Sequence, residues 1–254
     1  MGNSIHLSIS DFIRHDITTL PRNATIGNSK TPICVFVVKM GYAQAFLSLI
    51  RRNANFDVVD HLGNSPMHYA AEKRTPYYLD VLVSTNFNMC ILNNLGLTPL
   101  HIAVMHHKCD YVRPLRSAMF IGEDRPIHHA IELKDQEMIH TLITNTPGYT
   151  HEWMFGDSKY NHLNSCANKV GLTALSLAVK RKDLETIHTL LQHGADPDAK
   201  YGGKSPKDHL REISYVELPK QMDRMVPLWA ALNRDTDMYR NIDERSDMYT
   251  GLLS

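Results

Sequence analysis

Thr98-Pro99-Leu100-His101-Ile102-Ala103 is the stretch whose reading decides the fold, because its phrase returns along the chain. Related phrases are Thr31-Pro32-Ile33-Cys34, Ser65-Pro66-Met67-His68, Arg125-Pro126-Ile127-His128, Thr173-Ala174-Leu175-Ser176 and Ser205-Pro206-Lys207-Asp208. Their second residues lie 34, 33, 27, 48 and 32 positions apart, and Ala stands two places beyond the His as Ala70, Ala103 and Ala130. Each phrase reads as a helix start. A Ser or Thr oxygen accepts from amides that the first helical turn leaves unpaired, and proline fits that turn because its missing N–H had no partner there. The apolar residue and small alanine that follow let a neighbouring helix approach closely.

A second helix is predicted further along each unit. In Leu184-Glu185-Thr186-Ile187-His188-Thr189-Leu190-Leu191 the apolar residues recur at helical spacing, and Gly194 follows. Glycine closes a helix in the left-handed conformation; Asn53 and Asn86, at the equivalent places of two other units, are the next-best residue for it.

These residues resemble the ankyrin repeat, whose pattern reads Thr-Pro-Leu-His-x-Ala, a second helix, then Gly-Ala-Asp and an Asn/Gly turn. Thr98 to Ala103 and Gly194-Ala195-Asp196 match it closely, and Asn64 and Asn93-Asn94-Leu95-Gly96-Leu97 fit the opening turn. The resemblance implies an all-α solenoid of stacked helix pairs with finger loops at one edge, each unit burying apolar surface against its neighbours. It sets repeats at 31–64, 65–97, 98–124, 125–172, 173–204 and 205–225, a capping segment at 1–30, and a degenerate repeat or cap at 226–254. In this family the His of the phrase (His68, His101, His128) resembles a residue that hydrogen-bonds between adjacent units.

Departures from the period locate the unusual parts. The third unit is short, so Phe120-Ile121-Gly122-Glu123-Asp124 is predicted to be a cut-down finger. Pro114 falls in that unit's second helix, where it would start, kink or break it. The fourth unit carries extra length at 145–169, with Tyr149, Trp153, Phe155 and Tyr160. Two readings stand for those aromatics: a contact surface, or rings folded back onto the repeats. Near the N-terminus, Phe12, Ile13, Ile17 and Leu20 sit at helical spacing before Pro21, which predicts a capping helix over Asp11–Leu20.

Composition removes several classes of function. The 254 residues hold 27 basic and 27 acidic side chains, so no basic face for nucleic acid is implied. The longest pure apolar run, Ile33–Val38, is too short to span a bilayer. The first twenty residues carry His6, Asp11, Arg14, His15 and Asp16 where a secretory signal needs an apolar stretch. Four scattered cysteines with no CxxC pair favour a reducing, cytoplasmic setting.

Candidates for metal and nucleophile chemistry are few. His151, His162 and Cys166 share the insert, but three donors lack a fourth, and His106-His107 with Cys109 lack the spacing of helical zinc ligands. Cys166 near His162 is the one candidate nucleophile, and defines the alternative of a small Cys/His enzyme in the insert. No phosphate-binding loop, nucleophile elbow or metalloprotease pair occurs. No cofactor or metal is expected.

The function expected is therefore non-catalytic binding of another protein by a chain that is monomeric alone. From the family geometry, the contact positions are Asp60, His61, Leu62 and Asn64 in one finger and Asn93, Asn94 and Leu95 in the next. Tyr69 and His106 follow on inner faces, then Tyr149, Trp153, Phe155 and Tyr160 in the insert. Degenerate ankyrin proteins of this kind look like those that intracellular bacteria and large viruses deliver into a host cytosol.

Overall fold

A computed structural model describes residues 5–14, 21–145, 162–165, 168–199 and 205–206. The chain divides into two units, Met1–Tyr149 and Thr150–Ser254. The first begins with β1 (His6–Leu7), α1 (Ile9–Arg14), β2 (Thr25–Ile26) and β3 (Thr31–Pro32). Helix pairs follow: α2 (Ile33–Met40) with α3 (Ala43–Arg51), α4 (Pro66–Glu72) with α5 (Tyr77–Ser84), the lone α6 (Pro99–Met105), and α7 (Pro126–Leu133) with α8 (Gln136–Thr144).

The first helices stack in order, α2 on α4, α4 on α6 and α6 on α7. What lies between them is small or branched: Val35, Val37, Ala70, Ala71, Ala103, Val104, Ala130 and Ile131 are fully buried. Alanine at the contact brings two helix axes close without a void. The second helices add Phe46, Leu49, Leu79, Leu82, Met138 and Ile139 to the same core. Asn53 and Asn86 adopt φ of 54° and 60° beyond the ends of α3 and α5, as the sequence predicts.

Proline decides the third unit. After α6 the chain makes two single 3-10 turns, Cys109–Tyr111 and Arg116–Ala118, on either side of Pro114. The proline lacks an amide for the i→i−4 ladder and its ring crowds the preceding turn, so no second α-helix forms. Tyr111, Val112 and Leu115 remain buried and fill the place of its apolar face. The finger beyond is reduced to a turn at Gly122, whose φ is 94°.

The first unit departs from expectation. Thr31 and Pro32 were predicted to cap a helix; they form β3 instead, antiparallel to β2 with Thr25 opposite Pro32. Strand β1 pairs parallel to β2. The Thr31 hydroxyl is taken by Ser29 Oγ at 2.9 Å, and α2 starts at Ile33 with no side-chain cap. The Ile33 amide donates to Ala24 O at 2.8 Å, so the residue before β2 supplies a partner the cap would have given. The capping helix is described only as α1; residues 15–20 lie outside the described residues. Phe12 of α1 packs edge-on against Phe36 with centroids 5.1 Å apart, closing the end of the stack.

The second unit contains α9 (His162–Ser165), α10 (Ala174–Lys180) and α11 (Leu184–Gln192). Thr173 caps α10 through the Ser176 amide at 3.1 Å, and Asp183 caps α11 through the Thr186 amide at 3.2 Å. Leu175, Ala178, Val179, Ile187 and Leu190 are buried between them. Gly194 closes α11 at φ 82°. Ser205 and Pro206 are buried; the rest of the 205–225 repeat and the 226–254 cap lie outside the described residues.

The close stacking of α4, α6 and α7 gives a direct test. Replacing Ala103 with Leu is expected to lower unfolding free energy by about 1–3 kcal/mol, because three more carbons must fit a filled contact. Urea denaturation that finds less than about 0.5 kcal/mol would show that the helices are not in close contact there.

Candidate interaction surface

The fingers are built from one acceptor. The Asp60 Oδ1 atom accepts from the Leu62 and Asn64 amides at 2.9 and 3.0 Å, folding residues 60–64 into a closed turn. Asn93 repeats the arrangement on the Leu95 and Leu97 amides, each at 3.0 Å. Asn168 repeats it in the second unit, on Val170 and Leu172 at 3.1 and 2.9 Å. In all three the fourth residue is a glycine in the left-handed region, Gly63, Gly96 and Gly171, with φ of 75°, 74° and 79°.

That turn forces the residue before the glycine outward. Leu62, Leu95 and Val170 stand there, 48%, 80% and 66% exposed. An aliphatic side chain at that exposure is held in water by the backbone, not by packing. Adjacent fingers of the first unit are also stitched together. The Asn94 amide donates to Leu62 O and its Nδ2 to His61 O, both at 3.0 Å, while Asn93 Nδ2 donates to Asn64 Oδ1 at 2.9 Å. A Cβ on Gly63 would lie 2.5 Å from Asn94 Oδ1 and 2.7 Å from the Asn94 nitrogen.

Two histidines carry each finger onto the helix before it. His68 Nε2 donates to Leu97 O at 2.9 Å and His101 Nε2 to Asp124 O at 2.6 Å. Their Nδ1 atoms accept from the amides of Ser65 and Thr98, at 3.1 and 3.0 Å. An amide can only donate, so Nδ1 must be bare and Nε2 must carry the proton; each ring is neutral by geometry. Burial, which penalises the charged form, lowers the pKa of both and brings His101 to about 4. In the fourth unit His128 Nδ1 accepts from the Arg125 amide at 3.2 Å, but Arg125, unlike Thr98, has no oxygen to add a side-chain cap.

The sequence-predicted contact residues separate by burial. His61, Leu62, Asn94, Leu95 and His106 are exposed and Asn64 is partly so. Asp60, Asn93 and Tyr69 are buried beneath them. The reason is hydrogen bonding: Asp60 and Asn93 spend their side chains on backbone amides, and the Tyr69 hydroxyl donates to Asp60 Oδ2 at 2.7 Å. The repeated Asp/Asn five residues before the helix cap was the signal that would have revealed this. His106 lies beside His107, whose Nδ1 meets Asp135 Oδ2 at 2.5 Å and links the third unit to the cap of α8. Tyr149, Trp153, Phe155 and Tyr160 lie outside the described residues, as do His151 and Cys166.

Among the described residues no group of three or more His, Cys, Asp or Glu is placed to hold a metal. Burial pushes the Cys34 thiol up to about 12 and raises that of Cys109, so both are poor sources of thiolate.

Residues 34–123 match the family model for ankyrin repeats in three copies, and residues 170–201 match that of a single ankyrin repeat. Among solved structures, the ankyrin repeat domain of Bcl-3, described as a unique member of the IkappaB family, superposes with a TM-score of 0.60. It is 21% identical, over 74% of this chain and 83% of that one. A chain from the Bd0816 predatory endopeptidase of Bdellovibrio bacteriovorus in complex with immunity protein Bd3460 has a TM-score of 0.55 and 20% identity, over 82% of this chain and all (100%) of that one. No curated protein matches the sequence.

Two outcomes test this geometry. Gly63→Ala is expected to cost more than about 1 kcal/mol, because both the left-handed backbone and the Asn94 contact oppose a methyl group; a thermal melt within a degree of the parent would refute the stitched fingers. For His101, the unfolded ring takes up a proton below its ordinary value of 6.5, whereas the folded ring stays neutral until about 4. Stability is then whole above pH 6.5 and falls as pH drops through that window, by an amount on the order of 3 kcal/mol. A His101→Gln chain should show a flatter profile over the same window.

Proposed function

Starting from the fact that the chain is an ankyrin-repeat protein, we propose that it is a non-catalytic scaffold that binds another protein through its fingers and the exposed ends of its first helices. The observation that carries this is the pair of aliphatic finger tips, Leu62 and Leu95, held out of any core by Asp60, Asn93 and two glycines. Exposed leucines on a backbone that cannot retract them favour association, since burial in a partner removes about 25 cal/mol per Å² from water. A preformed surface also loses little conformational freedom on binding.

The proposed contact set in the first unit is His61, Leu62, Asn64, Asn94, Leu95 and His106. Met40, Met105 and Leu133, the exposed last residues of α2, α6 and α7, extend it. Tyr149, Trp153, Phe155 and Tyr160 of the insert belong to the same proposal on their residue types alone. The proposed setting is a reducing cytosol, in keeping with free Cys34, Cys90 and Cys109. Balanced charge supports a protein over nucleic acid as partner, and monomeric behaviour before binding is part of the reading. Delivery into a host cell is part of the same proposal, put forward on the likeness to degenerate ankyrin proteins alone.

Affinity capture from cytosol tests it. The Leu62→Ser, Leu95→Ser double variant is expected to melt within a few degrees of the parent, because neither side chain is in the core, while partner recovery falls at least about tenfold. Undiminished recovery refutes the finger surface. A Trp153→Ala, Tyr160→Ala variant tests the insert in the same assay.

A further inference from the structure

Thr75-Pro76 stands apart from the other Ser/Thr-Pro pairs among the described residues. Thr31, Ser65, Thr98 and Ser205 each precede a proline, and each is buried. The hydroxyls of Thr31, Ser65 and Thr98 are spent on Ser29, His68 and His101. Thr75 belongs to none of the repeat phrases. It lies between the end of α4 and the start of α5, in a run of exposed residues, Arg74, Thr75, Pro76 and Tyr77. Among the described residues neither the Arg74 side chain nor the Thr75 hydroxyl has a hydrogen-bond partner.

Both ends of this segment are tied to the repeats. The Lys73 amide donates to Ala70 O at 3.2 Å and its Nζ to Lys39 O at 2.7 Å, while its carbonyl accepts from the Tyr111 hydroxyl at 3.0 Å. Beyond it, the Asp80 amide donates to Pro76 O at 2.8 Å as α5 begins. The backbone is extended at Lys73, with φ −63° and ψ 149°, and proline disfavours the helical region for the residue before it, Thr75. An exposed hydroxyl in extended chain followed by proline is the form in which proline-directed protein kinases take a substrate.

The start of α5 points the same way. Both α8 and α11 begin on a capping aspartate: Asp135 accepts from the Met138 amide at 3.0 Å, and Asp183 from the Thr186 amide at 3.2 Å. Pro76 holds that place in α5, and no side chain caps the helix. The positive end of this second helix therefore lacks the anion its counterparts have.

We propose that Thr75 is a phosphorylation site for a proline-directed protein kinase, and that its phosphate does at α5 what Asp135 and Asp183 do at α8 and α11. The kinase transfers the γ-phosphoryl group of magnesium-bound ATP. A bond forms from phosphorus to the Thr75 oxygen, the bond to the bridging oxygen breaks to release ADP, and the hydroxyl proton passes to the kinase's base. The product carries a charge of about −1.5 to −2 one residue before the α5 cap. An anion there is favoured by the free amides and the positive end of the helix dipole, and Arg74 is its neighbour in sequence. Buried Ser65 and Thr98 could not take the group without giving up their bonds to His68 and His101, so the fold itself selects Thr75.

Incubating the full chain with a purified mitogen-activated protein kinase and magnesium ATP, followed by peptide mass mapping, tests it. Phosphate is expected on Thr75, with none on Thr31, Ser65, Thr98 or Ser205. Thr75→Ala should abolish that phosphopeptide, and Pro76→Ala should slow its appearance severalfold. The phosphorylated chain should melt about 1–3 °C above the unmodified one, and a phosphatase should remove the gain. No phosphate on Thr75 of the folded chain overturns the site; a free peptide of residues 70–80 that accepts one under the same conditions would assign that failure to the fold. Modification of the buried hydroxyls at the same rate overturns the selection by burial. A melting temperature that stays level or falls on phosphorylation of Thr75 overturns the capping role.

Discussion

A neutral histidine ring, spanning from its own helix cap to the next finger, is the interaction on which the first unit depends. His68 and His101 each accept one amide and donate to one carbonyl, and the carbonyls belong to residues 29 and 23 positions further on. Each ring converts a repeat in sequence into a contact in space. Helices of seven or eight residues are too short to persist alone, so what holds them is their neighbours. The ring must be buried to keep water from competing for the carbonyl, and burial is also what keeps it uncharged.

The fingers follow from that anchoring. Once Leu97 O is fixed by His68, the segment before Thr98 has little freedom, and Asn93 closes it by taking the Leu95 and Leu97 amides. Backbone hydrogen bonds are then satisfied inside the turn, and the side chain at its tip has nowhere to go but outward. The exposure of Leu62 and Leu95 is a consequence of the same bonds that make the fingers rigid. A surface of this kind can bind without first ordering itself.

The irregular units show what the stack tolerates. Where Pro114 forbids a second helix, buried Tyr111, Val112 and Leu115 keep the core filled without it. Where Arg125 replaces the capping Thr or Ser, α7 still forms, because α6 and α8 pack against it. Residues 124–169 fall outside the family matches although α7 and α8 make a helix pair there. Packing by neighbours, more than the phrase itself, defines a repeat.

By itself the sequence determined the period, the helix starts at Pro66, Pro99, Pro126 and Ala174, the left-handed ends at Asn53, Asn86 and Gly194, and the break at Pro114. These are local properties: a cap, a φ angle, a missing amide. Tertiary structure decided the rest. Thr31-Pro32 resembles the other caps yet becomes a strand, because β2 lies beside it and Ala24 O meets the Ile33 amide. Tyr69 reads as an inner-face residue of α4 and is buried, because its hydroxyl donates to Asp60 in the preceding finger, a partner that folding brings within reach. The seating of the N-terminal segment on α2 has no sequence signature either, since β1 meets β2, and Phe12 meets Phe36, only once the chain has folded.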